Sequence, residues 1–173
     1  MNLILCAVAP IFTIIIYIYF HDKYEKEPVG LLIANFLFGA IVSIIIVTIL
    51  YIFTGRFIPI TDEYSVWQQF IQAFVVVALS EEFSKYVIVK YFAQPKKAFN
   101  EPYDGIIYAV MVSMGFACTE NIMYVLQGGY ETAILRAFTA VPAHATFGVL
   151  MGYFMGLAKF SNNRIKLNMA GLF

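Results

Sequence analysis

Residues 70–92 read FIQAFVVVALSEEFSKYVIVKYF. The run is long enough for a helix to cross a bilayer, which takes about 20 mainly apolar residues, yet Glu81, Glu82 and Lys85 stand at its centre. A charged side chain at the bilayer midplane costs about 2.5 kcal/mol or more, so intramembrane acids face a protein interior and mark a functional site by default. Neighbours on a helix diverge by about 100°, so Glu81 and Glu82 need not serve one role. Glu81 and Lys85, four apart, share a face and are expected to pair.

The rest of the chain has the same character. Of its 173 residues 61% are hydrophobic and 13% charged, with a mean hydropathy of +0.78; a soluble domain carries about 25% charge. The fold class this implies is all-α, a polytopic transmembrane helix bundle forming a single integral membrane domain over residues 1–173. The zero net charge gives no ground for a nucleic-acid partner; the bilayer itself is the surrounding partner. Cys6 and Cys118 lie inside apolar segments and read as small buried hydrophobes, with no disulfide framework or zinc spacing. At least five spans are expected, near 3–20, 29–53, 66–93, 105–127 and 132–158, and LNMAGLF at 167–173 reads as a sixth that is cut short. The connectors HDKYEKEP, TGRFIPITDEYS and QPKKAFNEPYD and the turn Gly128-Gly129 are polar or rich in Pro and Gly, as loops are. The first segment lacks a basic leader and an A-x-A site, so it is read as a retained span, not a signal peptide.

Lysine and arginine set the orientation. Lys23 and Lys26 lie in or near loop 21–28, Lys90, Lys96 and Lys97 flank or fill loop 94–104, and Lys159, Arg164 and Lys166 follow the fifth span. Only Arg56 and Arg136 lie on the opposite side. The expected placement is a multi-pass protein of the cell membrane with its N-terminus outside and loops 21–28 and 94–104 and the C-terminal tail in the cytoplasm.

Polar groups inside the membrane concentrate in three spans: Ser80, Glu81, Glu82, Ser84 and Lys85 in the third, Ser113, Glu120 and Asn121 in the fourth, His144 in the fifth. At ~1.5 Å per residue, Glu81 lies ~22 Å, Glu120 ~10 Å and His144 ~18 Å below the outer end of its span, so they can converge on one outward-facing cavity. Phe116 and Glu120, four apart, share a helix face. One glutamate would then act as a general base on water, and Asn121 is a neutral donor able to polarise a scissile carbonyl. Ala140, His144, Gly148, Gly152 and Gly156 form a small-residue stripe that lets another helix approach closely. Pro142 is expected to kink the fifth helix. With one intramembrane histidine and no H-E-x-x-H, no metal cofactor is expected, zinc remaining the alternative.

At these residues the chain resembles a known family. EEFSK (81–85), GFACTEN (115–121) and VPAHATFGVLMGY (141–153) are similar to the E-E-x-x-K, F-x-x-x-E-N and H-x-x-x-G motifs of the PrsW family of bacterial intramembrane proteases, distant relatives of the CAAX prenyl proteases and Abi proteins. The resemblance spans residues 10–160. It implies an intramembrane endopeptidase that makes the first, extracytoplasmic cut in a single-span anti-sigma factor during a stress response. It further implies Glu81 as general base, Glu82 and Lys85 shaping the site, Glu120 positioning the water, and His144 or Asn121 stabilising the oxyanion. Family members usually carry a further histidine on a later helix, which this sequence does not contain, so the competence of this chain alone is open. Two other classes compete: a proton-coupled carrier using the same acids as a relay, which is expected to show internal repeats, and a non-enzymatic scaffold whose charges fix helix packing.

Overall fold

Asn2 opens the first helix, its side chain accepting the Ile4 amide hydrogen, which supplies one of the bonds a helix start leaves unmade. From there the computed structural model, described for residues 2–22, 25–59, 61–62 and 64–172, is helical throughout, with no strand among those residues. Helix α1 spans Leu3–His21 and α2 spans Val29–Phe57. Helix α3 covers residues 66–93, α4 Pro102–Phe138, α5 Ala140–Phe160 and α6 Arg164–Ala170. Lys23 lies outside the described residues.

Local chemistry fixes the boundaries. Helix α2 runs four residues beyond the expected 53, because Thr54 and Gly55 continue the ladder until Pro59 stops it. Ser65 caps α3 through the Gln68 amide. Helix α4 begins on a reciprocal capping box between Glu101 and Asp104, with Pro102 as the first helical residue. Gly129 breaks α4 at a positive φ of 69°, a conformation only glycine adopts cheaply, so the expected Gly128-Gly129 turn is a sharp break flanked by helix. The expected fifth span is itself interrupted at Thr139. Pro142 therefore sits in the first turn of α5, where its missing N–H costs nothing, instead of kinking the middle of a helix.

Among the described residues, three stretches are long and apolar enough to cross a membrane: Leu3–His21, Val29–Phe57 and Pro102–Phe160, the last broken at Gly129 and Thr139. The α3 helix, with Gln68, Gln69 and Gln72 near its start and Glu81, Glu82, Lys85 and Lys90 within it, is not among them. Large apolar side chains on α1 and α2 point outward, among them Leu5, Phe12, Ile16, Ile45, Ile49 and Phe53. Such a surface suits lipid, not water.

The α4 segment before Gly129 is the hub. Nearly every residue from Asp104 to Ala117 is buried, with α1, α2 and α5 packed around it. The small-residue stripe of α5 meets α4 backbone to backbone: a Cβ added to Gly152 would stand 2.3 Å from the Gly105 carbonyl oxygen. Phe99, Tyr108, Val112, Met151 and Met155 fill the core at one end, and Ile11, Val110, Met114 and Val141 continue it.

Helix α2 carries a wide turn at Gly39–Ser43, where the ladder slips to five-residue spacing. Gly39 lies against the Val112 backbone there. Thr119 donates to the Ala40 carbonyl at 2.8 Å, the kind of side-chain rescue that makes an irregular turn tolerable away from water. Similar turns at Gln72–Ala78 and Val89–Ala93 flank the Glu81–Lys85 segment of α3.

Candidate active site

Glu81, Glu82 and Lys85 come from the middle of α3, Glu120 and Asn121 from α4, and His144 from the second turn of α5. Tertiary packing brings all six into one polar cluster. One oxygen of Glu81, one of Glu120 and one ring nitrogen of His144 lie within 4.8 Å of one another.

The pairing differs from the helical-face expectation. Lys85 bonds Glu82, three residues away, at 2.6 Å, and not Glu81. Its ammonium is drawn across to α5, where it donates to His144 Nδ1 at 3.0 Å, and Glu82 lies on that side. Glu81 instead accepts the Tyr51 hydroxyl of α2 at 2.8 Å. Lys85 is wholly buried and lies 4.6 Å over the Phe116 ring, whose face attracts a cation. Phe116 also meets the His144 ring edge-on, so it holds both groups in place.

Because the Lys85 ammonium can only donate, His144 Nδ1 accepts, and the ring proton sits on Nε2, facing Glu120 Oε2 at 3.0 Å. The same Glu120 oxygen takes Arg136 Nη2 at 2.6 Å. Arg136 Nε bonds Asn121 Oδ1 at 2.6 Å, and the Asn121 amide donates to the Ala7 carbonyl of α1 at 2.6 Å. Asn121 is thus fully buried as a tie between α1 and Arg136. Ser84 adds a further tie, bonding the Glu81 carbonyl and Ser43 of α2.

Two members escaped the sequence reading. Arg136 reads in the sequence as a charge outside the membrane, and Tyr51 stands near the end of an apolar segment, where tyrosine is ordinary. A signal for Arg136 existed: a reversal at Gly129 sets residues seven or eight positions either side of it opposite each other, and 121 and 136 satisfy that. Tyr51 carries no local signal, since its partner is thirty residues away.

Charges do not balance within the cluster. Lys85 matches Glu82 and Arg136 matches Glu120. Glu81 accepts the Tyr51 hydroxyl and forms no ion pair among the described residues, so one formal negative charge is left over when His144 is neutral. Glu82 Oε2 is buried with no hydrogen-bond partner. Two carboxylates and an imidazole are a donor set of the kind that catalytic zinc takes, and the surplus negative charge favours a cation.

A cleft of about 570 Å³ leads to the cluster between α3 and α5, closed at one side by residues 170–172. Glu81, Glu82 and His144 form its polar wall; Phe74, Phe147 and Phe154 are among its apolar lining.

A protein-family model described as "PrsW family intramembrane metalloprotease" matches residues 27–173. Protease PrsW of Geobacillus kaustophilus is 42% identical over 160 residues, covering 92% of this chain and 68% of that protein. Protease PrsW of Oceanobacillus iheyensis is 38% identical over 169 residues, covering 98% and 75%. Protease PrsW of Bacillus subtilis is 33% identical over 165 residues, covering 95% and 72%. No solved structure matches the chain. The family's description as a metalloprotease runs against the metal-free preference drawn from the sequence and agrees with the Glu81, Glu120 and His144 donor set.

Proposed function

This chain belongs to the PrsW family of intramembrane proteases, and on that premise we propose that it hydrolyses a peptide bond of a single-span membrane protein at the Glu81–Glu120–His144 cluster. The observation that carries the reading is the convergence of those three donors within 4.8 Å, with Glu81 and His144 on the wall of a largely apolar cleft. An apolar cleft between two helices suits an unwound transmembrane segment, whose side chains need lipid-like surroundings until the bond is presented.

In this reading Glu81, Glu120 and His144 would hold a divalent cation, zinc by the character of the donors, and it would supply the Lewis acidity that makes water a nucleophile at neutral pH. Glu82 takes the water's proton and returns it to the leaving amine, because its Oε2 is unpartnered and the residue lines the cleft. Lys85 holds the other Glu82 oxygen in position. For His144 Nε2 to offer a lone pair, the ring proton must move to Nδ1. Lys85 then gives up its bond to that nitrogen and keeps its bond to Glu82 Oε1, leaving Oε2 free to take the proton.

A second reading keeps Glu81 as the general base with no metal, as the sequence suggested, and the Tyr51 hydroxyl orienting it favours this. Chelation separates the two.

The membrane arrangement proposed is five spans with the N-terminus outside. Two observations support it. Lys159 donates to the Lys96 carbonyl and Asn100 to Glu25, so the lysine-rich connectors lie at one end of the bundle. Arg136, one of two cations assigned to the other side, is turned inward. An anti-sigma factor as the substrate rests on the family resemblance alone.

The test is cleavage of a reconstituted single-span substrate by the wild-type chain and by Glu81→Gln, Glu82→Gln and Glu120→Gln. All three substitutions are expected to abolish cleavage with the fold retained, and a chelator to do so reversibly. Undiminished cleavage by the Glu81 and Glu82 variants would sink the hydrolytic assignment. Proton flux into liposomes lost in the same variants would point to a carrier.

A further inference from the structure

A second cleft, of about 370 Å³, opens at the lysine-rich end of the bundle where α3 and α5 finish and α6 begins. Its floor is built. Gln94 and Asn168 are both buried and bond each other at 3.0 Å. Gln94 also donates to the Met155 carbonyl, and Asn168 to the Arg164 carbonyl. Its rim is cationic: Lys90, Lys159 and Arg164 line it. Lys90 donates to Gln94 at 2.7 Å, and Lys159 is held by the Lys96 carbonyl and the Phe99 ring.

Among the described residues no carboxylate forms an ion pair with any of the three, all the ion pairs found there belonging to the active-site cluster. Lys90 and Arg164 are close enough to feel each other's charge. Lys159 also feels the Asp104 and Glu27 carboxylates, but the cavity's own lining holds no acid beside Lys90 and Arg164; two like charges there are an unfavourable arrangement that an anion would relieve, and the planar Arg164 fork suits a phosphate oxyanion.

Position identifies the source of that anion. Lys159 is one residue from the end of α5 and Lys90 three from the end of α3, which is headgroup height if these helices cross the membrane. Exposed Tyr91, Phe160 and Ile165 flank the cleft and offer apolar surface to acyl chains. We propose that this cleft binds the phosphate of an anionic glycerophospholipid from the cytoplasmic leaflet, as basic pockets between transmembrane helices do. The proposal rests on the membrane placement above and not on the hydrolytic reading.

The experiment uses the full chain in nanodiscs of two parts phosphatidylcholine to one part phosphatidylglycerol, released into native mass spectrometry. Wild type is expected to retain one phosphatidylglycerol, and Lys90→Gln/Arg164→Gln to retain it at least about tenfold less. Lys97→Gln/Lys166→Gln, which removes the same charge from exposed positions, is expected to behave as wild type. If the Lys90/Arg164 variant does not fold, Arg164→Gln alone, at an exposed residue, carries the comparison, and Arg164→Lys, which keeps the charge without the fork, is expected to recover part of the retention. Equal loss in the two double variants, or no lipid retained by wild type, overturns the site. Displacement of the lipid by millimolar inorganic phosphate that binds the detergent-solubilised chain equally well overturns the lipid as its source. Because the readout is lipid retention, its failure leaves cleavage untouched and is distinguishable from failure of the protease reading.

Discussion

Replacing Lys85 with Met separates structural from chemical roles in the polar cluster. Met keeps the stem's contact with Phe116 but removes the ammonium that binds Glu82 at 2.6 Å and His144 Nδ1 at 3.0 Å. Glu82 already has one oxygen without a partner, so the variant strands a buried carboxylate. Removing one partner of a buried pair costs about 3–5 kcal/mol; with packing retained, a loss near 3 kcal/mol is expected in denaturant titration of the reconstituted protein. Glu82, the proposed base, also loses the ammonium that positions it, and loss of an orienting partner of this kind lowers activity about 10–100-fold. The double variant Lys85→Met/Glu82→Gln tests the attribution. It removes the stranded charge, so stability should return toward wild type while cleavage stays lost, since Glu82 is then gone as a base. If Lys85→Met leaves both stability and cleavage rate unchanged, the reasoning from this geometry is wrong. If stability and cleavage recover together in the double variant, Lys85 and Glu82 are a packing device only.

Glu120→Gln should lower retained zinc as well as cleavage, measured by elemental analysis of the purified chain; full zinc occupancy in this variant would remove Glu120 from the ligand set. Gly152→Leu must push α5 from α4, because even a Cβ there stands 2.3 Å from the Gly105 carbonyl oxygen; overpacking of this kind costs about 3 kcal/mol in unfolding experiments, and a neutral result would contradict the close helix contact. In the loop before α2, burial and the nearby Asp104 charge push Glu27 up to about 8 from an ordinary 4.5, with Asp22 and Glu25 also facing it and Tyr108 donating to it. The folded state therefore keeps a proton the unfolded chain has lost, so stability falls as pH rises from about 4.5 through 8 and then levels. Denaturation midpoints between pH 5 and 9 should show that decline, and Glu27→Gln should flatten it; a midpoint rising with pH in wild type contradicts the assignment.

The residues of the site were legible because membrane burial makes polarity conspicuous. In lipid a carboxylate or imidazole has few bland reasons to exist, so Glu81, Glu82, Glu120 and His144 stood out without any partner being known. The small-residue stripe of α5 was legible for a related reason: helices in lipid associate by close packing, and glycine at every fourth position permits it. Arg136 and Tyr51 were not, because at segment ends polar and aromatic residues are ordinary. The break at Thr139 was also hidden, since no Gly marks it and the apolar run continues across it.

The sequence by itself determined that the chain is helical, that lipid surrounds it, which side chains are costly enough to require a purpose, and which family it joins. These follow from composition and local spacing, and the bilayer enforces them residue by residue. Only the tertiary structure decided who meets whom. Lys85 had acceptable partners at both three and four residues' distance on its own helix, and local geometry hardly separates them. The choice fell to Glu82 because His144 arrives on that side from α5, held there by glycine contacts between α4 and α5. The same packing set Glu120 beside His144 and turned Arg136 inward, making polar residues that are separate in the sequence one cluster in the fold.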